Sequence, residues 1–214
     1  MRMSRRGMLG FSGAALFGTA GHSLAAELRR TPAQVLGPFY PIEKPLDQDA
    51  DLTLINGHKQ RAAGQAVHVM GRVVNVKGEP IAGARLEIWQ ANTHGRYTHP
   101  SDENTAPLDP NFEGFASLET DAEGRYRFKT IKPGAYPNGP GLTRAPHIHF
   151  DVKGRVNRLV TQMYFPGESL NEGDIFMATS RKFRSLLVAD VGKPTPDLEP
   201  DSLLAHWDIV LEQG

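Results

Sequence analysis

The chain has 214 residues, with 24 basic and 24 acidic side chains and no cysteine. The lack of cysteine excludes disulfides, thiolate metal ligands, iron–sulfur clusters and a cysteine nucleophile, and nothing in the charge balance points to nucleic acid. Its 22 glycines and 16 prolines predict many turns and few long helices.

Residues 1–26 read as an export signal. Arg2, Arg5 and Arg6 make a basic start, a Gly/Ala/Leu/Phe stretch follows from Met8, and Ser23-Leu24-Ala25 has the small-x-small form of a cleavage site. Ser4-Arg5-Arg6-Gly7-Met8-Leu9 resembles a twin-arginine signal, departing from it at Met8, where Phe is usual, and at Gly10, where Lys is usual. The expected partner is the twin-arginine export machinery and the expected location is the periplasm. The apolar stretch is short and glycine-rich for a membrane span, so no stable membrane insertion is expected; an uncleaved anchor is the competing reading. Without the three signal arginines, 21 basic residues face 24 acidic ones, a net charge of −3.

Residues 27–66 read as an N-terminal arm. Thr31-Pro32-Ala33-Gln34 carries the signature of a short helical turn, with Thr31 capping and Pro32 at the first helical position. Gly37-Pro38-Phe39-Tyr40-Pro41 predicts an extended, kinked segment, and residues 44–65 are polar and irregular, as expected of a surface arm.

Residues 67–214 read as a β-sandwich. Val67–Val76 and Ala84–Gln90 alternate in character around a turn at Lys77–Pro80. A long loop follows at 91–114, of a length that usually serves a function. Phe115–Thr120 and Arg125–Thr130 predict a hairpin around Asp121-Ala122-Glu123-Gly124, and Lys132–Thr143 predicts a second special loop. Strands are expected at His147–Phe150 and Leu159–Phe165, then a loop with one helical turn at 166–182, a short strand at Leu186–Ala189 and a closing strand at Leu203–Leu211. About seven to nine short strands without a long amphipathic helix predict an all-β fold, an antiparallel sandwich with long active-site loops.

The most informative stretch is Arg144-Ala145-Pro146-His147-Ile148-His149-Phe150. Pro146 favours extended backbone before it. In a strand, His147 and His149 share one face and Ile148 and Phe150 the other, so two imidazoles can reach one metal ion. Taken alone, His-x-His also suits a strand with two satisfied histidines. Tyr97 and Tyr136 stand in the two special loops, and each alone reads as an aromatic packed on the core. Together the four residues suggest a site of two imidazoles and two phenolates. Phenol has a pKa of about 10, so two phenolates require a strongly polarising ion. Ferric iron suits these hard ligands best and zinc is the alternative.

In their flanking sequences, Trp89-Gln90-Ala91-Asn92 with Gly95-Arg96-Tyr97, Pro133-Gly134-Ala135-Tyr136-Pro137, the histidine strand and Thr161-Gln162-Met163-Tyr164-Phe165 resemble the intradiol ring-cleavage dioxygenases, nearest the protocatechuate 3,4-dioxygenase branch. Thr31–Gln34 and Gly37–Pro41 resemble that family's opening segment. The loop from Tyr136 to His147 is shorter than is usual there, and Asn138-Gly139 replaces an aromatic. The resemblance implies one Fe(3+) per chain, held by Tyr97, Tyr136, His147 and His149. It implies insertion of both atoms of O2 into a catechol-type ring, giving a cis,cis-muconate-type diacid. Tyr136 would serve as general base, and Arg144 and Gln162 would stabilise charge on the substrate. Pro38, Phe39, Tyr40 and Trp89 would line the pocket. The resemblance also allows a homo-oligomer. Two rival readings are a non-catalytic exported sandwich of the carboxypeptidase-regulatory-like kind and an iron- or catechol-binding protein. His58, His68, His94, His99 and His206 carry no motif and are expected at the surface.

Overall fold

The structure, a computed structural model, describes residues 27–213; the expected export signal lies outside them. The strands are β1 (Ala66–Asn75), β2 (Arg85–Trp89), β3 (Phe115–Glu119), β4 (Arg125–Ile131), β5 (Tyr136–Pro137), β6 (Thr143–Arg144), β7 (His147–Lys153), β8 (Arg158–Tyr164), β9 (Asp190–Gly192), β10 (Leu203–His206) and β11 (Ile209–Leu211). Helix is confined, among the described residues, to α1 (Ile175–Thr179) and 3-10 turns at Ser169–Glu172 and Arg181–Leu187. The strands beyond the expected number are pieces of two or three residues: β5, β6, β9 and β11.

Two sheets face each other. One holds β4, β1, β10, β11 and β9, and the other runs β3-β2-β7-β8. Val67, Val69 and Val73 of β1, Leu86 and Ile88 of β2, Phe128 of β4, Ile148, Phe150 and Val152 of β7 and Met163 of β8 meet between them in the core. Period-two alternation therefore sends Glu87, Trp89, His147, His149, Asp151 and Gln162 to the outer face of the second sheet. That face carries the site, and the arm and the long loops cover it.

Several expectations are corrected. β3 and β4 do not form a hairpin: β3 pairs with β2 and β4 with β1, so the 121–124 turn crosses between sheets. Thr120 decides this, because its hydroxyl accepts from Ala84 N at 2.9 Å and donates to the Ile81 carbonyl at 2.7 Å, while Val73 N donates to the Gly124 carbonyl at 2.8 Å. The closing segment is two strands that run parallel to β1 in one register, Val67 opposite Leu203 and Val73 opposite Ile209. They are interrupted at Trp207, whose carbonyl turns inward to accept from the Tyr126 hydroxyl at 2.6 Å. A Cβ on Gly71 would lie 1.9 Å from that carbonyl oxygen, so glycine is required there. Of the strand expected at Leu186–Ala189, the first two residues end a 3-10 turn and Val188 makes a single parallel bridge to Tyr164, before pairing resumes in β9; Leu187 packs with Tyr164 and Met177.

The arm also differs. Thr31 caps no helix: its hydroxyl accepts from Val210 N at 2.9 Å, Pro32 O accepts from Thr161 Oγ1 at 2.8 Å, and Gln34 N donates to Val160 O at 2.8 Å. The sheet supplies the partners that a helical turn would have used. Segment 44–65 is not wholly superficial, since Leu52 is fully buried in the core and its N–H donates to Lys129 O at 2.9 Å. His68, expected at the surface, is buried and its Nε2 lies 2.6 Å from Glu199 Oε2.

The arm brings Asp47 and Asp49 to Glu113. Both Glu113 carboxylate oxygens are shut from solvent without a hydrogen-bond partner. Burial, with Asp47, Asp49 and Asp51 nearby, pushes the carboxyl up to about 8. A carboxyl raised in the folded state stabilises the fold when protonated. That contribution is present below its unfolded value and is lost as pH rises through about 8. Glu113→Gln should therefore flatten the fall in Tm between mildly acidic and mildly alkaline pH, leaving the variant roughly 2–6 °C above the wild type at the alkaline end. A thermal scan series in which the two proteins keep parallel pH profiles would contradict this.

Candidate metal centre

The outer face of the second sheet is built in register. Trp89 lies opposite His149 across β2–β7, and Gln162 lies opposite His149 and Tyr164 opposite His147 across β7–β8. Trp89 stacks on the His149 imidazole, ring centroids 4.8 Å apart and 11° from parallel. Tyr97 comes from the 91–114 loop. Gly95, with φ of 78°, lets that loop pass so close to the 132–144 loop that a Cβ on it would lie 2.1 Å from the Ala135 carbonyl oxygen. This contact delivers Tyr97 and Tyr136 together, with rings 5.4 Å apart and 88° from parallel. Tyr136 is held by the short β5–β6 hairpin, where it lies opposite Arg144.

The four expected ligands converge. His147 Nε2 and His149 Nε2 are 3.1 Å apart, and the Tyr136 hydroxyl is 3.4 Å from His147 Nε2. His147 Nδ1 donates to the Ala145 carbonyl at 2.6 Å, which leaves its Nε2 lone pair facing the cluster. Burial holds both imidazoles well below the usual histidine range, with neighbouring charge from Arg144 adding to it, so both are neutral donors. Burial pushes Tyr97 well above the ordinary phenol value and Tyr136 also upward, the latter opposed by Arg144. The Tyr97 hydroxyl is buried and has no hydrogen-bond partner. Neutral imidazoles and two phenols, one of them with its buried oxygen unpartnered, fit a hard cation that ionises the phenols on binding.

Arg144 sits behind Tyr136, its side chain 3% exposed. Its NH1 donates to the Tyr136 hydroxyl at 3.3 Å and its NH2 to Gln162 Oε1 at 2.6 Å and Tyr164 OH at 3.0 Å. Gln162 uses its other end to donate to Val35 O at 3.0 Å, tying the arm to the site. Of the residues read as pocket lining, Trp89 lies against His149 and Tyr40 meets Trp89 edge-on at 5.0 Å, while Pro38 is exposed in the arm's turn. Phe39 approaches the ligands more directly, 4.6 Å from the Tyr97 ring and 6.0 Å from Tyr136.

Three contributors were not expected at the site. Gly37, with φ of 78°, lets the arm cross over His149, and a Cβ there would stand 3.2 Å from the imidazole. Glu87, buried beneath the arm, accepts from the Tyr40 hydroxyl and from Lys44 Nζ at 2.6 Å. Against its burial, those two bonds hold its carboxyl below the usual range. Asp174 bonds Arg144 Nε at 2.8 Å and caps α1. Its signal was present, an Asp before Ile175-Phe176-Met177 at a helix start.

Because the Tyr97 hydroxyl has no partner, Tyr97→Phe should leave the Tm of metal-free protein unchanged or slightly higher. The same change should lower the iron retained per chain after dialysis. A fall in the metal-free Tm comparable to a core truncation would show that the hydroxyl serves the fold instead.

The model of the family described as "Dioxygenase" matches residues 35–213. The protocatechuate 3,4-dioxygenase beta chain of Burkholderia cepacia is 45% identical over 179 residues, 81% of this chain and 76% of that one. The hydroxyquinol 1,2-dioxygenase of Corynebacterium glutamicum is 31% identical over 204 residues, covering 86% of this chain and 64% of the relative. Among solved structures, the dioxygenase domain of a dioxygenase carbohydrate-binding protein fusion from Streptomyces sp. SirexAA-E superposes with a TM-score of 0.66 at 27% identity, over 87% of this chain and 100% of that one. Catechol 1,2-dioxygenase from Acinetobacter sp. ADP1 gives 0.66 at 27% identity, over 86% and 63%. With the match running through the arm, both tyrosine loops and the histidine strand, the chain belongs to the intradiol ring-cleavage dioxygenases, on the branch of protocatechuate 3,4-dioxygenase.

Proposed function

We propose that the protein is a non-haem ferric enzyme that opens a catechol-type ring between its two hydroxyl-bearing carbons, placing both atoms of O2 in a cis,cis-muconate-type diacid. The observation that carries this reading is the convergence of two neutral imidazole nitrogens and two buried phenols, one of them unpartnered. Tyr97, Tyr136, His147 and His149 would hold one iron per chain. When bound, the ferric ion supplies Lewis acidity to a chelating diphenol. Two phenolates offset most of its charge, so the centre tolerates burial.

The chain's own residues then have distinct tasks. His147 and His149 donate without adding charge. The Tyr136 oxygen is suited to accept a proton from an incoming diphenol, because Arg144 NH1 at 3.3 Å steadies the phenolate before the transfer. The same guanidinium stabilises negative charge that develops on the ring. Gln162 acts through Arg144, having its amide engaged on both sides. Phe39 and Trp89 exclude water from the ligand face.

Protocatechuate, catechol and hydroxyquinol are the candidate substrates, as the names of the relatives suggest. Lys44, a cation near the Tyr40 ring, is already bound to Glu87. Purified protein should show a broad visible band from ferric–phenolate charge transfer. That band should shift on anaerobic addition of the productive diphenol and return as air is admitted and the diacid forms. A protein that stays colourless after ferrous iron and air would refute the two-tyrosine ferric site, and colour without turnover on any of the three would leave a catechol-binding protein.

Export is proposed from residues 1–26 alone. In a bacterium with a twin-arginine translocase, the full chain should be recovered in the periplasm without its first 25 or so residues. The Arg5→Lys/Arg6→Lys variant should stay in the cytoplasm. Full-length protein sedimenting with membranes would favour an anchor.

A further inference from the structure

Burying an arginine without a counter-charge is costly, and Arg144 is buried beside neutral phenols and an amide. Its counter-charge is Asp174, whose side chain is 0% exposed. Asp174 Oδ2 accepts from Arg144 Nε at 2.8 Å and from Ala145 N at 3.0 Å. Asp174 Oδ1 accepts from Phe176 N and Met177 N, both at 3.0 Å, and from the Tyr164 hydroxyl at 3.3 Å. One carboxylate thus joins the start of α1 to the two residues that precede Pro146 and His147.

The consequence for the site is geometric. A guanidinium is a planar fork. With Nε held by Asp174 and NH2 by Gln162 and Tyr164, the remaining nitrogen, NH1, can point only toward Tyr136. The Phe176 ring, two residues after Asp174 in the chain, covers one face of the guanidinium, its centroid 4.5 Å from the guanidinium carbon. Asp174 also fixes the Ala145 peptide from its nitrogen side, while the Ala145 carbonyl orients the His147 imidazole. No other carboxylate among the described residues bonds Arg144.

We propose that Asp174 is a positioning residue: it aims the Arg144 guanidinium at the Tyr136 oxygen and, through Ala145, steadies the His147 ligand. The assignment rests on the function proposed above, in that Arg144 and His147 matter only if the site is catalytic.

Asp174→Asn separates this role from helix capping. Asparagine still accepts from Phe176 N and Met177 N, but it turns an N–H₂ toward Arg144 Nε and Ala145 N. On iron-loaded protein, kcat for the productive diphenol should fall roughly 10–100-fold, with KM changing by less than about threefold. In a double-mutant cycle with Arg144→Lys, the double variant should lose little more than Arg144→Lys alone, because both changes remove one function. Additive losses, or wild-type kcat in Asp174→Asn, would overturn the proposal. A second measurement needs neither iron nor turnover. In metal-free wild-type protein the Arg144 Nε–H resonance, assigned by its loss in Arg144→Lys, should exchange slowly with solvent and be absent or fast in Asp174→Asn. Fast exchange already in the wild type would overturn the ion pair even if Asp174→Asn failed to fold. Absence of a charge-transfer band and turnover in the wild type would instead sink the proposed function and leave the resonance test standing.

Discussion

The structure depends on the register of three strands, β2, β7 and β8. Alternation along β7 sends Ile148, Phe150 and Val152 into the core and His147, His149 and Asp151 to the opposite face, with all of them buried. A slip of one residue would move both imidazoles into the hydrocarbon core and the apolar side chains of Ile148, Phe150 and Val152 into the site. The core and the placement of the two proposed histidine ligands are therefore specified by one register. The same register puts Trp89 and Gln162 on either side of His149, so the imidazole is clamped by neighbours that the sheet itself supplies.

An open sheet face cannot by itself bury the polar side chains it carries. The chain solves this with cover from elsewhere. The arm crosses above His149 at Gly37 and is fastened by Tyr40 and Lys44 to Glu87 on one side and by Val35 to Gln162 on the other. The two tyrosine loops touch at Gly95 and Ala135, where a side chain would collide with backbone. The arm is tied by polar groups on the outer face of the sheet. Glu87 and Asp151, opposite each other in register, are buried charges at that face and would be hard to explain as core residues. Glu87 anchors the arm through Lys44, with Arg85 beside it, and Asp151 is neutralised within the sheet by Lys153 and Arg158.

Much of this was legible in the sequence, for physical reasons. Arg144–Phe150 declares both its strand and its divided faces, because Pro146 and strict alternation leave few other conformations. The tyrosines were legible only through the segments that flank them, since a lone loop tyrosine has no periodicity. What escaped was long-range. Phe115–Thr120 and Arg125–Thr130 have every local mark of a hairpin, and only Thr120 bonding to Ala84 and Ile81 sends them to different sheets. The parallel pairing of β10 and β11 with β1 depends on the Trp207 carbonyl entering at Gly71, a contact 136 residues apart in the chain. Thr31 satisfies a helix-capping pattern, and the same hydroxyl serves a sheet edge instead.

Asp174 shows how a local signal can be present while its meaning is not. An aspartate before an apolar turn announces a cap, and capping uses one carboxylate oxygen. The second oxygen is free to take a buried cation, and here it does. Charge neutrality explains why the pairing is stable: Arg144 and Asp174 cancel each other, just as two phenolates would offset most of a ferric ion's charge within the ligand set. The site can then be dry without leaving an isolated charge in low dielectric. Nothing in the spacing of residues 144 and 174 encodes that pairing. It follows from where β6, β8 and α1 meet, behind the tyrosine that the proposed chemistry requires to take up a proton.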